Sequence, residues 1–262
     1  MSFVGFIVRK AIPLPKIESF EKYLFIGPHA DDIEIGAGAT VAKLTKMGKE
    51  VHFLICIDGR FGVENLKEPV SSEELIEIRK EEAKASAKLL GVSSVTFLDL
   101  CDGGLYEEKD LFDKIAAVAG EIAPDILFYP DPDVASECHI DHLRVGKACK
   151  ELAFLAPFED IMKAHGAKAA SVKAIAMYMT ARPTVFVKTG KKCFEAQLKT
   201  LSESFKSQYP KDNPSLASLI TYLKLRAHTY GAKRLCSYAE GFRVLGKTHM
   251  HCLPEMSPGD VV

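Results

Sequence analysis

The chain reads as an α/β protein: a doubly wound, Rossmann-like, mostly parallel sheet with helices on both faces and an elaborated C-terminal part. Three observations predict it. Short apolar, β-rich runs alternate with longer helical patterns up to residue 155. Hydrophobic residues are 47% and charged residues 26% of 262, enough apolar material for a sizeable core. The loops richest in His and Asp follow predicted strands, where such sheets bind ligands in the crevice beyond the C-terminal strand ends.

The elements follow in order. Tyr23-Leu24-Phe25-Ile26 is a buried strand ended by Gly27-Pro28, and residues 35–47 are a helix closed by Gly48. Residues 51–57 are a second apolar strand ending at Asp58-Gly59. Ser71-Ser72-Glu73-Glu74 supplies a cap and an acidic first turn for a long helix that runs to Leu90 and stops at Gly91. A strand at 94–98, a helix at 111–122 stopped near Pro124, and a strand at 125–129 come next. After the loop Pro130-Asp131-Pro132-Asp133, another helix begins between His139 and Asp141 and runs to about Leu155. Right-handed crossovers then give the doubly wound sheet. The remainder is less regular, with strands at 172–179 and 183–187 and helices at 194–207 and 215–232. No repeat, low-complexity tract or linker divides the chain. The expectation is one domain over 1–262, with an N-terminal arm at 1–22 and a C-terminal elaboration at 172–262.

Composition limits the function. With 34 Lys+Arg against 35 Asp+Glu, the net charge of −1 argues against a general grip on nucleic acid or an anionic membrane. No apolar run is long enough for a membrane helix, and the apolar stretch 3–8 lacks the basic start of a signal peptide. The seven cysteines are odd in number and form no C-x-x-C, which predicts a reducing cytoplasm and no thiolate metal site.

Two loops carry the chemistry. The first is His29-Ala30-Asp31-Asp32, where adjacent carboxylates repel unless a cation relieves them. A divalent metal on His29 and Asp32 would do so and leave Asp31 beside it as a base. The alternative is a plain helix N-cap. The Gly36-x-Gly38 that follows is a weak dinucleotide signal, lacking the third Gly and lying behind an acidic loop. The second loop is His139-Ile140-Asp141-His142, which the fold places at the same crevice. His29, Asp32 and His142 then make three N/O ligands with one position open, the pattern of catalytic zinc, with Fe2+ or Mn2+ as substitutes. Asp31, His139 and Asp141 are left for acid–base and orienting roles.

These motifs resemble the LmbE-like, or PIG-L, zinc-dependent N-acetylglucosaminyl deacetylases, whose loops read His-Pro-Asp-Asp and His-Pro-Asp-His. The resemblance extends to Arg79-Lys80-Glu81-Glu82-Ala83, Leu89-Leu90-Gly91-Val92, Asp102-Gly103-Gly104-Leu105, Phe205-Lys206-Ser207-Gln208 and Tyr238-Ala239-Glu240-Gly241-Phe242-Arg243. Ala30 and Ile140 replace the motif prolines, Phe205 stands where the family often has His, and Ala39 replaces a Gly. The resemblance implies hydrolysis of an N-acetyl sugar or conjugate, with Asp31 as base, a protonated His139 stabilising the oxyanion and Asp141 orienting His139. It also implies Arg79 near the substrate and a tendency to self-associate into a homo-oligomer. For Arg79 the plainer reading is a surface pair with Glu82, worth about 0.2–0.5 kcal/mol. Arg60, at the end of the second strand, is a second candidate for the crevice. Two other readings stand: a metal-dependent amidase on another N-acyl amine, and a non-catalytic sugar or nucleotide binder. His52, His165 and His228 are expected to be structural or surface residues; His249-Met250-His251 has metal-like spacing but is assigned no role, and Cys138 is read as a plain loop residue rather than a reactive thiol beside His139.

Overall fold

The computed structural model describes residues 7–8, 10–66, 68–211, 213–251 and 253. Residues 3–6 of the expected apolar arm lie outside them. The strands are β1 (Lys22–Gly27), β2 (Glu50–Ile57), β3 (Ser94–Leu100), β4 (Ile126–Pro130), β5 (Ala174–Tyr178), β6 (Val185–Lys188) and β7 (Ala239–Gly246). The helices are α1 (Asp32–Lys46), α2 (Ser72–Leu90), α3 (Glu108–Ile122), α4 (Ile140–Leu155), α5 (Glu159–Ala164), α6 (Lys191–Glu203) and α7 (Pro214–Ala232).

The sheet order is β3-β2-β1-β4-β5-β7-β6. The first five strands pair parallel, while β7 runs antiparallel between β5 and β6. The predicted doubly wound core is therefore present, and the C-terminal part extends the same sheet. Neither β7 nor α5 was among the elements expected from sequence. The helix α1 begins at Asp32, three residues before the expected start, because the acidic loop itself forms its first turn.

Strand alternation splits the core in two. Tyr23 and Phe25 of β1 face one layer, with Phe53 and Phe128, and the Phe25 and Phe128 rings stack at 4.1 Å. Leu24 and Ile26 face the other, with Leu54, Leu127 and the inner faces of α3 and α4. All four β1 residues are fully buried, so β1 sits under helices on both sides, as a central parallel strand must. The Ser71 cap of α2 is the expected reciprocal box with Glu74, and Gly91 ends that helix at φ 77°.

The chain runs outward from β1 to β2 and β3, then returns to place β4 on the other side of β1. The C-terminal ends of β1 and β4 thus flank the topological switch point, where open α/β sheets form their ligand crevice. Gly36 serves this packing and not a phosphate: a Cβ there would lie 2.2 Å from the ring of Tyr178, whose hydroxyl donates to the Ile26 carbonyl at 2.8 Å. Among the described residues no helix is long and apolar enough to cross a membrane.

Candidate metal centre and active site

The loop after β1 and the first turn of α4 meet over the switch point. His29 Nδ1 lies 3.5 Å from Asp32 Oδ2, and His142 Nε2 lies 3.3 Å from the same oxygen. A tetrahedral ion with bonds of about 2.0–2.1 Å needs ligand atoms roughly 3.3–3.4 Å apart along each edge. The donor set of two imidazoles and one carboxylate, with both imidazole–carboxylate edges near that spacing and all three atoms within 4.8 Å of one another, fits a divalent ion. A second group, His29 with His139 and Asp141, shares His29 and has a comparable spread. Both Asp141 oxygens, however, accept backbone N–H groups, from Gly103 and Gly104 at 3.0 Å each. That carboxylate is committed to the loop after β3, so the first group is the better cation site.

Charge pairing is dense here. Burial alone would raise the Asp32 carboxyl, yet the His142 and His29 imidazoles hold it far below the usual range. Burial opposes charge on His29 too, and its hydrogen bonds to the Asp102, Asp141 and Asp32 carboxylates outweigh it, raising its pKa. His142 is raised against its burial by the Asp32 charge. Without metal the two imidazolium groups thus neutralise the carboxylates, and an incoming cation must displace their protons.

Asp31 stands apart from this set. It is buried, occupies the N-cap position of α1 and has a left-handed backbone, φ 106°, but its side chain makes no capping bond. An Asp at that position ordinarily accepts a helix N–H, so the plain N-cap reading does not describe this residue. Burial first, and the Asp32 charge second, push its pKa well above the carboxylate range. Tyr209 donates its hydroxyl to Asp31 Oδ2 at 2.8 Å, and Gln208 Nε2 donates to the Ala30 carbonyl at 2.6 Å.

A cavity of about 250 Å³ opens above these groups, lined by His29, Asp31, Asp32, Arg79, Asp102, His139 and Tyr209 among others. Its volume is near the lower end of small-molecule pockets, roughly 300–1,000 Å³. Arg79 is buried and donates from Nη2 to the Gly62 carbonyl at 2.8 Å. The loop wraps it so closely that a Cβ on Gly62 would lie 2.4 Å from Nη2. The surface pair with Glu82 is absent: Glu82 instead accepts from Ser207 N and Oγ at 2.7 and 2.6 Å.

Two expectations need correction. Arg60 does not line the cavity; its guanidinium turns back onto Asp58, with Nη2 2.6 Å from Oδ2, and caps the end of β2. Asp141 is nearer His29 Nε2, at 3.5 Å, than His139 Nδ1, at 3.7 Å, because Gly103 and Gly104 draw its carboxylate inward. His139 is half-exposed at the rim and accepts the Asp141 N–H on Nδ1 at 3.4 Å, leaving its other ring face to the cavity. Asp102, quoted for its motif but given no role, sits 3.3 Å from His29 Nε2. Its signal was visible: an Asp followed by two glycines at the end of β3, on the edge of the sheet that carries the other two loops. Gln208, which closes the Phe205-Lys206-Ser207-Gln208 segment of the resemblance, and Tyr209 beside it, which no local pattern announces, reach the site from 178 residues away. His249, assigned no role from sequence, is buried, with Nδ1 accepting from Gly246 N at 3.0 Å and Nε2 3.1 Å from the Ile12 carbonyl. Cys138 is an exposed loop residue.

With this geometry in view, the chain was compared with known proteins. Residues 24–153 match the model of the PIG-L family, described as GlcNAc-PI de-N-acetylase. The diacetylchitobiose deacetylase of Thermococcus kodakarensis is 33% identical over 237 residues, covering 89% of this chain and 86% of the relative. The structure of an N,N'-diacetylchitobiose deacetylase from Pyrococcus horikoshii, complexed with an inhibitor, superposes with a TM-score of 0.86 at 29% identity, covering 100% of this chain and 98% of that one. A 4-carboxy-2-hydroxymuconate hydratase from Pseudomonas putida superposes at TM-score 0.70 with 20% identity, over 86% and 96% of the two chains. That last likeness concerns the fold alone. The long, near-full-length match to the Thermococcus protein decides the lineage: this chain belongs to the PIG-L family.

Proposed function

We propose that the chain is a metal-dependent N-deacetylase that hydrolyses an N-acetylglucosamine-type substrate to acetate and a free amino sugar. The observation that carries the reading is the division of the two adjacent carboxylates. Asp32 stands within 3.5 Å of two imidazoles, while Asp31, one residue away, is turned out of that set and lines the cavity. The family and its deacetylase relatives support the same reaction class.

His29, Asp32 and His142 would hold the ion, which we take to be Zn2+, with Fe2+ or Mn2+ as substitutes. When bound, such an ion supplies Lewis acidity, acidifying water and polarising the acyl oxygen. Asp31, which lines the cavity beside the ligand Asp32, accepts the proton of the attacking water. The same proton then passes from Asp31 to the departing amine nitrogen as the C–N bond breaks. His139, whose Nδ1 accepts the Asp141 N–H, donates its Nε2–H to the oxyanion, a contribution of about 3–4 kcal/mol for a well-placed donor. Asp141 and Asp102 brace the His29 ring, and Arg79 offers its guanidinium to the sugar. Arg60 has no part in binding on this reading. The substrate is a small N-acetyl sugar or conjugate. The odd cysteine count supports a cytoplasmic setting.

The test is acetate release from N-acetylglucosamine and diacetylchitobiose, with metal content measured on the same preparation. Chelation should abolish release and zinc restore it, while His142→Ala should lose both metal and activity. Release that survives complete metal removal would sink the proposal.

A further inference from the structure

We propose that Tyr209 is a positioning residue for Asp31: its phenol holds the base in the one rotamer that presents a carboxylate oxygen to the cavity. This rests on the deacetylase reading of the site and deepens it. The starting point is a conflict in local structure. Asp31 sits where an Asp normally folds back onto the free N–H groups of a helix, yet it makes no such bond and carries a left-handed φ of 106°. A non-glycine residue in that region is strained and persists only where its surroundings over-determine it.

The surroundings that do so lie on one segment. Tyr209 donates to Asp31 Oδ2 at 2.8 Å, and its neighbour Gln208 donates to the carbonyl of Ala30, the residue before Asp31, at 2.6 Å. The peptide entering Asp31 and the carboxylate leaving it are thus gripped by two consecutive side chains. That segment is itself anchored: Glu82, on the same helix as Arg79, accepts from both Ser207 N and Ser207 Oγ. One turn of α2 therefore sets the substrate-side guanidinium with Arg79 and, through Ser207 and Tyr209, the base. With Oδ2 occupied by the phenol, Oδ1 is the oxygen left to exchange protons. A base free to swing between a helix cap and the cavity would spend part of its time out of reach, and a misplacement of about 1 Å in a reacting group is enough to cost two orders of magnitude.

The experiment compares Tyr209→Phe, which keeps the ring as cavity wall and removes only the hydroxyl, with the wild type. We expect kcat for acetate release to fall about 10–100-fold, with KM, metal content and the calorimetric affinity of the metal-free protein for diacetylchitobiose unchanged. In an Asp31→Asn background, Tyr209→Phe should cost nothing further, because the group it positions is gone. Glu82→Gln, which loosens the anchor from the opposite side, should lower kcat in the same direction by less. Wild-type kcat in Tyr209→Phe, a rise in KM with kcat intact, or losses that simply multiply in the double variant would each overturn the proposal while leaving the deacetylase reading in place. Failure of the wild-type chain to release acetate would overturn both.

Discussion

The two metal-site loops share a pattern, His-x-Asp followed by a ligand, and use it differently. In the loop after β1, the first residue, His29, and the fourth, Asp32, belong to the cation site, while the third, Asp31, faces the cavity. In the loop opening α4, only the fourth residue, His142, joins that site; the first, His139, stands at the rim and the third, Asp141, is fully buried against Gly103 and Gly104. The difference lies in the backbone. Asp31 is left-handed and denied its cap bond, whereas the α4 start is an ordinary extended cap in which His139 accepts the Asp141 N–H. Equal spacing thus yields a carboxylate that faces the cavity in one loop and one tied to backbone N–H groups in the other.

The largest test of that contrast is at the third positions. Asp31→Asn should lower kcat by about 10²–10⁴-fold while metal content stays at wild-type level; loss of metal instead would place Asp31 among the ligands. His139→Gln should cost about 10²–10³-fold in kcat with little change in KM, as for loss of one oxyanion donor. Asp141→Asn should be milder in turnover, about 10–100-fold, but should also lower the thermal midpoint, since it strips the acceptor from one of two backbone N–H groups and the charged partner from His29. Were Asp141→Asn as damaging to kcat as Asp31→Asn and neutral to stability, the two loops would be doing the same job.

The smallest effect is on stability and lies away from the loops. Glu240 of β7 is buried, accepts from Ala39 N and Thr40 N in mid-α1, and burial pushes its carboxyl from 4.5 up to about 7. The folded chain therefore binds a proton there that the unfolded chain releases earlier. Below the unfolded value nothing is lost; as pH climbs toward 7 the folded state loses stability relative to the unfolded one. Glu240→Gln should accordingly gain ground on the wild type in denaturant melts between about pH 5 and about pH 8. A difference that does not change with pH would mean that this carboxyl is ionised throughout.

The parallel half of the molecule was legible because it is built from local signals. Apolar runs closed by Gly27, Gly59 or Pro124 announced strands and helix ends, and the His/Asp loops followed them directly. β7 was not read as a strand, although its residues were quoted for their motif. Seven of its eight positions are buried, so it shows no inside–outside alternation, and it carries Glu240 and Arg243 within. Those charges are tolerated only because distant partners meet them: helix amides for Glu240, and Asp131 and Asp133 for Arg243. The insertion of β7 between β5 and β6 is likewise a non-local event. The same limit explains the site. His29, Asp32 and His142 were legible from donor type and fold position. The inward turn of Asp141 depends on the glycines after β3, and the hold of Tyr209 on Asp31 depends on the docking of a segment far along the chain.

The left-handed backbone at Asp31 has one more consequence. Glycine is at ease at that φ, and Asp31→Gly would also remove a buried carboxyl that sits against Asp32. Selection for thermal robustness alone would therefore favour discarding this residue; if Asp31 is the proposed base, the protein that resulted would be sturdier but inactive. On the proposed reading of Asp31 as the base, aspartate at this position trades resistance to unfolding for chemistry, and a programme to stabilise this chain would leave it untouched.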